Sequence, residues 1–212
     1  MIDEHLLTTI RKVIRLNELG ADTPYCLSFA CQGNSGASFG LYQGDAHVDQ
    51  PRVPDMLRRI LHLHGAEEST ISRILGAVSQ VCPVDPLSAD DKALANAALN
   101  TPGGRALVDQ LDGEIERTLV ERVQTCIDAA AGARLAVALD ALLYIACWIN
   151  MSGRPNQLNR WIAGTAVYNL PPPQPPRLEG SHICDYLRRT AFFATHPRNF
   201  EHLRDCVSGA LA

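Results

Sequence analysis

Between Arg134 and Trp148 the chain reads RLAVALDALLYIACW, and only Arg134 and Asp140 in that run carry charge. A segment apolar around nearly its whole circumference is not the one-sided stripe of a surface helix, so neighbours must cover it on every side. The run is too short for a membrane span, and Asp140 interrupts it. The expectation is a central helix, Arg134–Trp148, wrapped by other helices. The rest of the chain offers the wrapping. Leu6, Ile10, Val13 and Leu16 or Asn17 fall at helical spacing in a segment with acids at its front, Arg11, Lys12 and Arg15 towards its rear, and Gly20 as a stop. Pro54–His64 reads as a short helix ended by Gly65. Glu67–Val81 reads as another, with Ile71, Ile74, Leu75 and Val78 on one face. Ser88 with Asp91 resembles a capping box opening an alanine-rich helix. After Pro102-Gly103-Gly104, Leu107, Leu111, Ile115, Leu119 and Val123 recur at four-residue steps until Gly132. Two closing helices are expected near Ser181–Thr195 and Pro197–Leu211.

Strand patterning is confined to Ala37–Gln43, where small and aromatic residues between glycines suit a short hairpin or a tight extended loop. The run Pro171–Pro176 demands an extended, polyproline-like connection. The expected fold is therefore mainly α, a single helical domain over residues 1–212 with one small β-hairpin after the first helix.

The 212 residues carry a formal net charge of -4, which argues against a nucleic-acid partner, since such proteins usually display a basic stripe. Ile2-Asp3-Glu4-His5 is not the basic start of a Sec signal, so the protein is expected to be made in the cytoplasm and to reach any periplasm or cell wall by a non-Sec route. Seven cysteines, at 26, 31, 82, 126, 147, 184 and 206, form no C-x-x-C pair and read as reduced, mostly buried thiols. A Cys26–Cys31 disulfide would need the local backbone to fold back. His62 and His64 point apart on a helix and are too few for zinc, so no metal or cofactor is implied.

The glycine-rich stretch Ser35–Asp45, SGASFGLYQGD, contains a G-x-S-x-G string around Ser38. A serine-hydrolase elbow needs a buried strand before the serine, a helix after it and a parallel sheet carrying its partners. Here a loop precedes, no β-α alternation follows, and Gly40–Gly44 is a poor helix start. Ser38 is expected to shape a hairpin rather than to attack substrate.

The same residues resemble a different family. FGLYQGD, Phe39 to Asp45, resembles the F-G-L-M-Q-V-D segment of goose-type lysozymes, and GLYQ is similar to the G-L-M-Q of soluble lytic transglycosylases. Leu27–Ala30 followed by Ser35–Gly40 resembles phage endolysins and the muramidase domains of type VI secretion effectors, which share a fold with chitosanases. The resemblance to this lysozyme-like superfamily covers Glu18 to Asp45, and Trp161–Gly164 is similar to part of a lysozyme α-lobe. It implies a lysozyme-like fold with Glu18, at the end of the helix before the hairpin, as general acid. It implies Asp45 as second carboxylate and a sugar-binding surface including Asn34, Ser38, Tyr42 and Gln43. Asn34 stands where the goose-type pattern has a second aspartate. A water-activating, inverting hydrolysis is the goose-type outcome; loss of that aspartate leaves open attack by the sugar's own acetamide and a 1,6-anhydro product.

Glu18 fits the role on physical grounds as well. At the last turn of a helix it faces the negative end of the macrodipole, and burial against Phe39 or Tyr42 would disfavour its charge further. A glutamate kept protonated near neutral pH can protonate a glycosidic oxygen. Asp45, on a polar hairpin, is expected to stay ionised and to orient water or stabilise an oxocarbenium-like transition state. Asp140 reads as a hydrogen-bonded core acid. Trp148, Asn150 and Trp161 are candidates to line a sugar cleft by stacking and hydrogen bonding, although such residues are more often core or rim. Arg58-Arg59 and Arg188-Arg189 read as solvated helix faces.

The expected function is cleavage of peptidoglycan glycan strands by a muramidase-like glycosidase, a lytic transglycosylase being its close variant. The rivals are a non-catalytic glycan-binding or interaction protein on the same fold and a chitosanase-like hydrolase. The partner is peptidoglycan or a related aminosugar polymer. A secretion machine or an immunity protein would join it if the chain is delivered as an effector.

Overall fold

The computed structural model describes residues 2–31, 34–81, 84–153 and 155–212. In chain order α1 (Glu4–Glu18) is followed by three short strands, β1 (Ser28–Phe29), β2 (Ala37–Phe39) and β3 (Gly44–Asp45). Next come α2 (Arg52–Leu63), α3 (Glu68–Val78), α4 (Ala89–Asn100) and the long α5 (Pro102–Gly132). The rest is β4 (Ala136–Val137), α6 (Leu139–Ser152), α7 (Asn156–Ile162), β5 (Arg177–Leu178), α8 (Gly180–Leu187), α9 (Ala191–Thr195) and α10 (Pro197–Leu211). The fold is mainly α with a small antiparallel sheet after the first helix, as the sequence patterning implies. No helix among the described residues is long and apolar enough to cross a membrane.

The chain divides into two compact units: residues 1–20 with 117–212, and residues 21–116. In the first, α1 buries Ile10, Val13 and Ile14, with Asp3 capping its start by accepting a hydrogen bond from the Leu6 N–H. The α6 helix buries Ala141 to Cys147 and Ile149, which is the all-round burial its composition demands. Trp161 is a core residue, its indole donating to the Pro171 carbonyl at 2.9 Å and its ring lying 5.1 Å from Tyr186. Trp148 is half-buried beside Phe193.

In the second unit β1, β2 and β3 form one antiparallel sheet, with Ser38 opposite Ser28 on one side and Asp45 on the other. Ala37 and Phe39 join Leu57, Ile60, Ile74, Leu99 and Leu111 in one core. Ser88 caps α4 as expected, but Asp91 does not complete the box; its carboxylate pairs with Arg73 at 2.7 and 2.9 Å.

Several boundaries differ from the sequence expectation. The central helix begins at Leu139, not Arg134, because Arg134 turns the backbone (φ 61) and Ala136–Val137 pair in parallel with Arg177–Leu178. Asp140 is consequently a first-turn acid, half-buried and favourable to the helix dipole, rather than a core acid. The segment Ser181–Thr195 is two helices, broken where the Thr190 hydroxyl accepts from the Phe193 N–H and restarts the chain as α9. Among the described cysteines none is bridged, Cys26 and Cys31 included; Cys126, Cys147, Cys184 and Cys206 are buried. Cys82 lies outside the described residues.

Candidate functional site

Glu18 is the last residue of α1, and the first unit encloses it from α6 and α10. The Asn150 amide of α6 donates to Glu18 Oε1 at 3.0 Å, and the Asn17 amide donates to the same oxygen at 3.0 Å. His202 of α10 donates from Nε2 to the Asn17 carbonyl at 3.3 Å and stands 3.5 Å from Cys206 Sγ. Burial pushes the Glu18 carboxyl above its ordinary range; the Asn150 and Asn17 hydrogen bonds, then the His202 charge, pull the other way without cancelling it. The helix end adds a negative potential in the same upward sense.

This arrangement treats the two oxygens differently. Oε1 accepts two amide N–H groups, whereas Oε2 accepts none among the described residues. A carboxylic acid so placed carries its proton on Oε2, because a hydroxyl on Oε1 would compete with both amides. The result is a half-buried acid, protonated more readily than usual, with its proton on the oxygen that has no partner among the described residues.

In the second unit Asp45 is heavily engaged. Its Oδ1 accepts from the N–H groups of Gly36, His47 and Val48 at 3.1, 2.7 and 2.9 Å, and Oδ2 lies 3.1 Å from the Gly36 nitrogen. The carboxylate thus ties β3 to the strand-to-helix turn and to the start of the β2 segment. Ser38 is the middle residue of β2 and is buried, with no histidine hydrogen-bonded to it among the described residues. No strand-to-helix elbow surrounds it. Gln43 accepts from the Ser28 hydroxyl at 2.5 Å and donates to the Gly40 carbonyl at 2.9 Å. Tyr42 is 3 % exposed and its hydroxyl hydrogen-bonds Glu116. Asn34 is exposed in the connection between β1 and β2. Of the residues expected to bind sugar, Ser38, Tyr42 and Gln43 belong to the hairpin's own framework, and Asn150 is the partner of Glu18.

One acid of that framework escaped the sequence reading. Asp112 on α5 accepts from the N–H groups of Leu41 at 2.9 Å and Tyr42 at 3.3 Å. Gly40 lets it approach: φ is +87, and a Cβ there would stand 2.5 Å from Asp112 Oδ1. Burial pushes the Asp112 carboxyl up to about 6; the two N–H groups oppose the rise, and the charges of Asp109 and Glu116 add to it. The spacing of Asp109, Asp112 and Glu116 places all three on one helical face, a signal readable in the sequence. His202 had none, because nothing local marks a histidine that closes over a residue so far back along the chain. His62 pairs with Glu68, and no cluster suited to a metal ion occurs among the described residues.

Comparison with protein-family models, curated proteins and solved structures yields no match.

Proposed function

We propose that this chain cleaves the glycan strands of peptidoglycan by lysozyme-like chemistry, with Glu18 as the proton donor. The observation that carries the reading is the state of Glu18: burial raises its pKa, and two amides occupy Oε1 while Oε2 has no partner among the described residues. General acid catalysis of a glycosidic bond needs a carboxyl that holds its proton near neutral pH and gives it to the leaving oxygen. The resemblance of Phe39–Asp45 to goose-type lysozymes and lytic transglycosylases supplies the substrate class.

The engagement of Asp45 favours the non-hydrolytic variant. Three backbone N–H groups hold Asp45 Oδ1 within the hairpin's own framework, which supports a structural role for it over one in activating water. In the variant, Glu18 protonates the bridging oxygen as the C1–O bond breaks, and the sugar's acetamide oxygen closes on C1. Glu18 then takes the proton of the sugar's own 6-hydroxyl as that oxygen attacks C1 and displaces the acetamide. The acid is regenerated, no water is consumed, and the product ends in a 1,6-anhydro sugar.

Incubation with purified sacculi and mass analysis of the released fragments tests both points. Wild-type protein should release anhydro-ended muropeptides, and Glu18→Gln, which keeps the shape but has no acidic proton, should release none. Reducing ends in place of anhydro ends would return the reaction to hydrolysis. Binding to sacculi without any release would make the chain a glycan-binding protein and remove Glu18 from a chemical role.

A further inference from the structure

The last turn of α1 is held from α10. His202 Nε2 stands 3.3 Å from the Asn17 carbonyl and 3.5 Å from Cys206 Sγ, while Nδ1 is 4.0 Å from that sulfur. A carbonyl only accepts, so the contact with Asn17 places a proton on Nε2. A second proton then goes to Nδ1, and the bond to Asn17 survives in either charge state. The carbonyls of a helix's last turn have no partner inside the helix, and Asn17 belongs to that turn. The N–H groups of Leu19 and Gly20, which follow it, both go to the Arg15 carbonyl, so the donor for Asn17 comes from α10. From its side chain the same Asn17 donates to Glu18 Oε1 at 3.0 Å. One residue thus takes a hydrogen bond from His202 on its backbone and gives one to the acid.

The imidazole also faces the carboxyl electrostatically. The titratable groups about it are Glu18 from α1, Cys147 from α6, and Asp205 and Cys206 from α10 itself. Burial pushes both thiols up, and the nearby acid pushes them further, so they stay neutral. Asp205 is exposed. Burial raises the Glu18 carboxyl, and the opposing effects are, in order, the Asn150 amide, the Asn17 amide and the charge on His202. His202 therefore acts on Glu18 in two ways, by a tie through Asn17 and by a charge across space.

We propose that His202 is a positioning residue for Glu18: through the Asn17 carbonyl it holds the amide that keeps Oε1 occupied and leaves Oε2 to give the proton. The assignment rests on the proposed glycan cleavage for its catalytic meaning; the tie itself does not depend on that reading. Lys12, donating to the Ala210 carbonyl at 3.2 Å, pins the same two helices further along, so the last turn of α1 is fixed against α10 rather than frayed. His202 is exposed, which lets its side chain be exchanged without opening the core. Glutamine there keeps a donor at about the reach of Nε2 and carries no charge, whereas leucine carries neither.

Titration of the labelled Glu18 side-chain carboxyl in the whole chain, with no substrate present, separates the two effects. His202→Gln should raise the proton affinity of Glu18 only by the lost charge, and His202→Leu should raise it roughly threefold more, by loosening the Asn17 amide. In an Asn17→Ala background the amide is gone and the backbone carbonyl remains, so the glutamine and leucine variants should titrate alike. Equal titration of the two variants with Asn17 present would overturn the assignment, because the tie would then do nothing. A difference that persists undiminished in Asn17→Ala would overturn it too, since His202 would not be acting through that amide. On sacculi, His202→Leu should lower kcat roughly tenfold with KM unchanged, and His202→Gln should recover most of the loss. A glutamine variant as slow as the leucine variant would also count against the tie. If wild-type protein cleaves no strand, the proposed activity fails, and the carboxyl titration still decides whether His202 positions Glu18.

Discussion

Replacing Asn150 probes the acid without touching it. Its amide gives Glu18 Oε1 one of two hydrogen bonds at 3.0 Å, and this bond stabilises the ionised form. A hydrogen bond to a charged group contributes about 1.5–3 kcal/mol, and an acceptor oxygen shared with Asn17 puts this one at the low end. Losing about 1.4 kcal/mol of preference for the anion corresponds to a tenfold rise in proton affinity. Asn150→Leu fills similar space and keeps water out, so the full rise should appear. Asn150→Ala admits water to the carboxylate, which restores part of the anion's solvation, so its rise should be smaller. The order of Glu18 pKa is therefore Leu above Ala above wild type. Carbon-detected titration of the labelled side-chain carboxyl measures it directly, with no substrate present. If Glu18 is the proton donor, the alkaline limb of glycan cleavage, where the acid is lost, should move to higher pH in the same order. An unchanged or lowered Glu18 pKa in Asn150→Leu would refute the reasoning, because it would mean that the amide does not hold the anion.

Glu18→Gln should stabilise the protein at pH 7–8 by about 0.5–2 kcal/mol while abolishing cleavage, since the amide carries no buried charge; the gain in Tm should shrink towards pH 4, where Glu18 is neutral in either state. Asp45→Asn should cost about 2–4 kcal/mol in denaturant unfolding, because an amide NH2 faces backbone donors that the carboxylate oxygens accept. Its activity per folded molecule should fall only mildly if the acetamide route operates, and strongly if Asp45 activates water. Asp112 holds its proton more tightly in the folded state than in the unfolded chain, so its contribution to stability is complete below the ordinary carboxylate range and is lost as pH rises through about 6. The loss, up to about 2–3 kcal/mol, should show as a wild-type Tm that falls relative to Asp112→Ala between pH 4 and 7.

The helices were legible wherever apolar periodicity and caps coincide, as at Asp3 for α1 and Ser88 for α4. The hairpin was legible from its glycines. The late start of the central helix was not, because Ala136–Val137 take their extended form from a partner strand forty residues further on. A β-branched residue among alanines and leucines gives no local sign of that pairing. In the candidate site, Glu18 could be singled out because helix end and hairpin are adjacent in sequence. The bond from Asn150 to Glu18 was not legible, because composition does not show which acceptor an amide meets. The engagement of Asp45 was hidden for the same reason: backbone N–H groups, invisible in any sequence motif, bind its Oδ1. Asp112 was overlooked because the residues it serves, Leu41 and Tyr42, lie about seventy positions earlier.

The first helix packs with the last. Lys12 Nζ donates to the Ala210 carbonyl at 3.2 Å, and His202 reaches back to Asn17. During synthesis, residues 1–20 therefore emerge long before α10 exists to receive them. At 5–20 residues per second, the ribosome adds α10 roughly 10–40 s after Glu18 has been made. Until then α6 alone can cover Glu18, and the side that α10 will close stays open to water. The full burial that raises its affinity for a proton is complete only when α10 closes over it. A nascent polypeptide thus lacks the completed surroundings of Glu18, and a nonsense mutation anywhere before α10 should yield a product in which Glu18 titrates closer to an ordinary surface glutamate.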